Sequence, residues 1–251
     1  MTIPPDELND RIRTHWDRDA AMYDRSLGHG IEHPVAAGAW SAALSRHLPA
    51  APSSVLDVGA GTGAMSLIAA ELGHRVTSLD ISAGMLAHAE RKATERGLRL
   101  EPVVGGADDP PPGPFDAVIE RHLLWTLPDP AGALARWRSV TVPAGRLVLY
   151  EGRWGARDPA SRARRAAAEF GRRMLGTGPH HHASYDDDVL SSLPLAGGVD
   201  VDTLMVAVVR AGWRAVRIER LPDVEWAYRI ASPPVLGWLE TVPRFAILAD
   251  A

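Results

Sequence analysis

The chain has 251 residues, 46% of them hydrophobic, which suits one α/β domain with a buried core and leaves little for a second full one. The formal net charge of -4 offers no basic field to a nucleic acid backbone, so DNA and RNA are not expected as substrates. Zero cysteines exclude disulfides, thiolate metal sites and cysteine nucleophiles together. In chain order, the start Met1-Thr2-Ile3-Pro4-Pro5-Asp6-Glu7 lacks a basic segment followed by an apolar one. No apolar run nears about 18 residues, so a soluble, cytoplasmic protein without membrane contact is expected. Pro5 to Ser26 is helix-permissive, with Ile12, Trp16, Ala20 and Tyr23 three or four apart on one face. A second helix is predicted from Pro34, a favoured first helical residue, to His47. Gly28-His29-Gly30 between them is a candidate lid hinge or a plain loop.

Ser54 to Gly63, S-V-L-D-V-G-A-G-T-G, is the stretch that organises the chain. Val55, Leu56 and Val58 suit a strand buried on both faces, and Gly59, Gly61 and Gly63 follow at once. A helix then runs from Ala64 to Leu72 and closes at Gly73. Strand, glycine loop and helix form a nucleotide-binding unit, because glycines let backbone N–H groups approach a ligand at a helix N-terminus. Gly59-Ala60-Gly61-Thr62-Gly63-Ala64 also satisfies the permissive dinucleotide pattern G-x-G-x-x-G/A. Asp57 separates the two readings, since a carboxylate two residues before the turn suits a cationic ligand better than a pyrophosphate. His74 to Leu79 is the next strand and ends at Asp80, an acid placed to accept both ribose hydroxyls or else to cap the following helix in competition with Ser82.

Through V-L-D-V-G-A-G-T-G the chain resembles the class I S-adenosylmethionine-dependent methyltransferases of the small-molecule type. The resemblance implies S-adenosyl-L-methionine as cofactor, held around Asp57, Gly59, Ala60, Gly61, Thr62 and Gly63 with its ribose on Asp80. Ile81-Ser82-Ala83-Gly84-Met85-Leu86 is similar to the family's second motif, in which Ile81 and Met85 pack on the adenine; Met85 could equally be core. It also implies an N-terminal segment folded over the cofactor's amino acid end, with Tyr23 of the Tyr23-Asp24 pair bonded to that carboxylate. Trp16 and His29 then border the acceptor, although Trp16 and Tyr23 could instead be an ordinary packed helix face.

The third strand is predicted at Leu98 to Val104, after a helix from Ala83 to Arg96 stopped by Gly97. Here the sequence departs from the family pattern. Gly106 stands where the acid that binds the adenine amino group is expected, so the role passes to Asp108, a backbone carbonyl or water, and the Ala107 N–H serves a ring nitrogen. Pro114 to Glu120 is the fourth strand, and the side chains past its end face the crevice of a parallel sheet. The resemblance places the methionine moiety against Arg121, through its carbonyl, and the acceptor against His122 and Trp125. His122 is the candidate general base, since imidazole titrates near neutral pH, or else a histidine bonded into the domain. Asp129 and Pro130 begin a helix, and Pro143-Ala144-Gly145 turns into a fifth strand, Arg146 to Glu151.

Between Gly152 and Asp200 the pattern loosens into a cap insertion. Asp158 to Leu175 favours a helix whose Arg162, Arg164, Arg165, Arg172 and Arg173 suit a solvated face. The His180-His181-His182 run lacks ligand spacing, so no metal is expected. Tyr185 is placed at the acceptor pocket by the family's use of this region. A helix at Val199 to Ala211 and strands at Trp213 to Leu221 and Pro243 to Leu248 follow, with Trp226, Tyr228 and Trp238 between them to enclose an apolar acceptor or cover the sheet. The expected fold is a Rossmann-like doubly wound α/β sheet of seven strands in the order 3-2-1-4-5-7-6, last strand antiparallel. It divides into an N-terminal helical lid (1–50), a cofactor core (51–151), the cap (152–198) and a C-terminal helix and strand pair (199–251). The implied activity is methyl transfer to oxygen or nitrogen of a small, aromatic or apolar metabolite by a monomer or homodimer. The alternatives are an NAD-dependent oxidoreductase, disfavoured by Asp57, and a non-catalytic cofactor-binding protein.

Overall fold

A sheet of seven strands in the order β3-β2-β1-β4-β5-β7-β6 runs through the middle of the protein. The strands are β1 (Ser54–Val58), β2 (Arg75–Asp80), β3 (Glu101–Val104), β4 (Phe115–Arg121), β5 (Thr141–Gly152), β6 (Arg214–Arg220) and β7 (Arg244–Asp250). The computed structural model describes residues 3–25, 28–152, 159–176, 185–198 and 200–251. The His180-His181-His182 run and Val199 lie outside the described residues. β1 pairs in parallel with β2 and β4, while β7 runs antiparallel to both β5 and β6.

Strand alternation divides the core into two layers. Val55, Ala117, Ile119, Val148, Tyr150, Ala246 and Leu248 face the helices α2 (Pro34–His47), α3 (Ala64–Glu71) and α9 (Pro222–Ala231). Their neighbours Leu56, Val58, Val118, Leu147, Leu149, Ile247 and Ala249 face α5 (Pro130–Ser139) and α8 (Val201–Arg210) on the other side. Each valine, leucine or isoleucine side chain among them contributes about 1.5–3 kcal/mol on removal from water, so the central strands anchor everything placed at their ends. Trp137 and Trp213 fill the second layer, with their indole N–H groups donating to Ala107 O at 2.7 Å and Leu134 O at 3.0 Å.

Several boundaries differ from the sequence expectation. The first helix, α1 (Pro5–Asp19), stops short of Ser26, and Tyr23–Arg25 form a separate 3-10 turn that redirects the chain over the glycine loop. Leu98 precedes β3 rather than belonging to it. Pro143-Ala144-Gly145 lies within β5, where Ala144 takes a left-handed φ of 61°. β6 is an edge strand, so Ile218 remains 45% exposed despite its alternating pattern. The segment between β6 and β7 folds as α9 and α10 (Pro234–Glu240), and the latter packs against α6 (Pro159–Leu175). Trp226 and Trp238 point outward there at 57% and 67% exposure, so they neither enclose an acceptor nor cover the sheet. Burial on this segment goes instead to Val224, Ala227, Tyr228 and Leu236.

Candidate active site

The glycine turn follows β1 because only glycines tolerate its backbone. Gly59, Gly61 and Gly63 all take positive φ, at 66°, 55° and 85°. A Cβ on Gly59 would sit 2.7 Å from Leu123 Cδ1, and one on Gly63 would sit 2.8 Å from Ala89 Cβ. The turn therefore lets α3 begin hard against the sheet. Its backbone is pinned from below, with Ala60 N donating to Leu79 O at 3.0 Å and Gly61 N donating to Asp80 Oδ2 at 2.8 Å.

Asp80 ends β2 and also accepts from Ser82 N at 2.8 Å. The cap of α4 (Ala83–Glu95) falls to Ser82, whose hydroxyl oxygen accepts from Met85 N at 3.0 Å, so Asp80 is left to face the crevice. Burial pushes the Asp80 carboxyl up to about 6, against the pull of its two backbone donors. Asp57 lies beneath the turn, 2% exposed, and accepts from Ser66 Oγ at 2.6 Å. Burial raises its carboxyl to about 7.

A cavity of about 400 Å³ opens above these groups. Gly59, Gly61 and Asp80 form its floor, and Ile81, Met85, Ala107 and Asp108 form one end. Arg121, His122 and Leu123, past the end of β4, form another side, and Ile12, Trp16 and Tyr23 close the roof. A smaller polar recess of about 20 Å³ shares Tyr23, Gly59, Gly61 and Arg121 and reaches Asp57, Ala60 and Thr62. The roof is tied down at three points. Thr62 Oγ1 donates to Asp24 Oδ1 at 2.5 Å, Lys92 Nζ meets Asp24 Oδ2 at 2.9 Å, and Ser82 Oγ donates to Asp17 Oδ1 at 2.6 Å. Arg11 on α1 also pairs with Asp188 of α7 (Asp187–Ser192) at 2.6 Å.

Of the residues singled out from sequence, Trp16, Tyr23, Gly59, Gly61, Asp80, Ile81, Met85, Ala107, Asp108, Arg121 and His122 converge on the main cavity. Asp57, Ala60 and Thr62 reach the recess, and Gly63 starts α3 behind it. Arg121 projects its guanidinium, with Nη2 donating to His29 O and the group 5.5 Å from the Trp40 ring centroid. His29, Trp125 and Tyr185 stand one layer back. His29 stacks on Tyr23 with ring centroids 4.4 Å apart, and Tyr185 packs among His15, Trp16 and Trp125. Sequence reasoning missed Pro5, Asn9, Leu123, Leu127 and Ala133 on the wall. An amphipathic N-terminal helix and the residues after β4 were the signals that could have found them.

The strand order is that of Rossmann-like methyltransferase folds. Residues 56–149 match the family model described as a methyltransferase domain. The chain is 36% identical over 145 residues to the aklanonic acid methyltransferase DauC of Streptomyces sp. (strain C5), covering 55% of this chain and 64% of that one. It is 32% identical over 146 residues to a ubiquinone biosynthesis O-methyltransferase of Xanthomonas euvesicatoria pv. vesicatoria (strain 85-10), covering 57% and 60%. The matches thus span less than two thirds of the length of these relatives. Among solved structures, the Burkholderia thailandensis 1,6-didemethyltoxoflavin-N1-methyltransferase superposes with a TM-score of 0.61 at 17% identity, covering all of this chain and 91% of that one. That likeness concerns the fold. No helix among the described residues is long and apolar enough to cross a membrane.

Proposed function

We propose that the protein transfers the methyl group of S-adenosylmethionine to an oxygen or nitrogen of a small, apolar or aromatic molecule. The observation that carries this reading is the position of Asp80, whose carboxylate faces a cavity of about 400 Å³ floored by Gly59 and Gly61. Residues and group fit. A carboxylate beside two glycines without Cβ can accept both ribose hydroxyls, and Ile81 with Met85 offers an apolar slot for a purine. Asp108, on the same wall, takes the adenine amino group in place of the acid absent at Gly106. Tyr23 and Arg121 flank the polar recess, where they suit a carboxylate, and Asp57 lies opposite for an ammonium or sulfonium charge.

When bound, the cofactor supplies an electrophilic methyl group on a positively charged sulfur. The protein's own task is to hold the acceptor in line with it and to keep water out, and effective molarities on the order of 10⁵ M or more make such positioning sufficient for large acceleration. Relatives named for aklanonic acid and for O-methylation in ubiquinone biosynthesis favour a small organic acceptor with oxygen as the reacting atom. Calorimetry with S-adenosylhomocysteine and with NADH tests the reading directly. Micromolar binding of the first and none of the second is expected, and the reverse preference would replace methyl transfer by hydride transfer. Incorporation of labelled methyl groups into a metabolite extract then identifies the acceptor class.

A further inference from the structure

Helix α6 meets α10 along one narrow seam. Ala168 is buried, a Cβ on Gly171 would sit 3.1 Å from Leu236 Cδ2, and Arg172 Nη1 donates to Glu240 Oε1. Away from that seam, Ala163, Ala166, Ala167, Phe170 and Met174 follow the spacing i, i+3, i+4, i+7 and i+11, which puts them on one helix face. That face is turned to water, with Phe170 67% and Met174 73% exposed. An apolar ridge left this open marks a contact surface.

Charge narrows what the ridge contacts. Within α6, Arg162, Arg164, Arg165, Arg172 and Arg173 stand against the single acid Glu169, although the whole chain carries a net charge of -4. Arg162, Arg165 and Arg173 are exposed along one border of the ridge, and Glu169 lies on that same border. A second copy of this chain is therefore a poor match. Antiparallel pairing of two such helices about a twofold axis sets both arginine borders on one edge, where like charges repel, and parallel pairing offers the arginines no acid. A convex apolar ridge with a cationic border instead suits a helix lying flat on a bilayer, its apolar face at the headgroup boundary and its arginines on lipid phosphates. Beyond the seam, α9 and α10 also keep Trp226, Ile230, Val235 and Trp238 outside. Arg229 Cζ lies 4.0 Å over the Trp238 ring, and such a pair of cation and indole is at home at headgroup depth.

We infer that α6 docks the protein on an anionic lipid surface, with Phe170 and Met174 inserted and Arg162, Arg165 and Arg173 at the phosphates. The contact is superficial, since no helix among the described residues is long and apolar enough to cross a bilayer. The sequence expectation of no membrane contact concerns such spans and not a helix that lies flat. This inference goes beyond methyl transfer and does not depend on it.

The chain has no cysteine, so Met174→Cys carries a single environment-sensitive dye, and Arg99→Cys, exposed ahead of β3, serves as the reference. With vesicles of phosphatidylcholine containing about 30% phosphatidylglycerol, the dye at position 174 should shift to the blue and the dye at position 99 should not. Co-sedimentation of the full chain should show binding about tenfold or more tighter to these vesicles than to phosphatidylcholine alone, and about 0.5 M salt should remove most of the difference. Phe170→Ser with Met174→Ser, and separately Arg162→Glu with Arg173→Glu, should each weaken binding about tenfold or more without moving the thermal melt, because all four side chains are exposed. Equal binding to both vesicles, binding to neither, or full binding by the double serine variant overturns the inference. Should that variant not fold, the dye shift at position 174 decides. A dimer in light scattering that the same serine substitutions abolish, with no vesicle binding, would assign the ridge to a second copy instead.

Discussion

Thr62 and Asp24 are joined at 2.5 Å between the glycine turn and the 3-10 turn that roofs it. Asp24 also holds Lys92 Nζ of α4 at 2.9 Å, so a single carboxylate connects roof, loop and helix. Asp24→Ala is expected to loosen the roof and to leave the buried Lys92 amine, among the described residues, with only Glu32 at 3.8 Å. S-adenosylhomocysteine affinity should fall roughly tenfold, from loss of about 1–2 kcal/mol of charge-assisted bonding, with a faster off-rate in stopped-flow fluorescence. An unchanged off-rate would separate the roof from ligand retention.

Asp80→Asn removes the charge while keeping the shape. It should weaken S-adenosylhomocysteine by roughly ten- to a hundredfold, since hydrogen bonds to a charged group contribute about 1.5–3 kcal/mol. The unliganded fold should persist, because Asn Oδ1 can still accept from Gly61 N or Ser82 N, each at 2.8 Å from Asp80 in the present structure. Calorimetry paired with a thermal melt distinguishes the two effects.

Asp57 should make stability depend on pH. Its folded value of about 7 lies above the ordinary 3.8, so between these values the unfolded chain ionises while the folded one keeps its proton. The unfolded state then binds fewer protons, and stability contributed by this group falls as pH rises from about 4 to about 7, by at most about 1.4 kcal/mol per pH unit. Asp57→Asn removes that slope. Urea unfolding at about pH 5 and about pH 7.5 should therefore show the variant gaining on the parent as pH rises, and a constant gap would refute the assignment.

Gly63→Ala tests the close approach of α3 to α4. Its positive φ of 85° and the 2.8 Å contact with Ala89 Cβ act together, so destabilisation of about 1–3 kcal/mol is expected. Gly97→Ala offers the control, since it has a similar φ of 69° but nothing within 4 Å of the added carbon. The larger loss should belong to Gly63 in denaturant titrations.

Local chemistry made the nucleotide-binding unit legible. The apolar run Val55, Leu56 and Val58, three glycines and the acid ending β2 are short-range signals, and helix starts at Pro34 and Pro130 follow from the fixed φ of proline. The N-cap at Asp129, accepting from Gly132 N at 2.9 Å, belongs to the same group. Trp226 and Trp238 misled because aromatic content says nothing about which helix face meets the sheet. The Pro143-Ala144-Gly145 turn persists as a bulge inside β5, where pairing with β4 jumps from Thr141 to Arg146 and Ala144 keeps a left-handed φ of 61°.

By itself the sequence determined the strand–glycine–helix unit, the acid at the end of the next strand and the order of the seven strands. These depend on residues close in the chain, where periodicity and backbone freedom act directly. Only the tertiary structure decided which side chains share the cavity and in what protonation state. His122 meets Arg244 from 122 positions away, Arg121 meets His29 O from 92, and Thr62 meets Asp24 from 38. Such contacts and the burial that shifts their charges arise from the packing of distant strands, which no local pattern encodes.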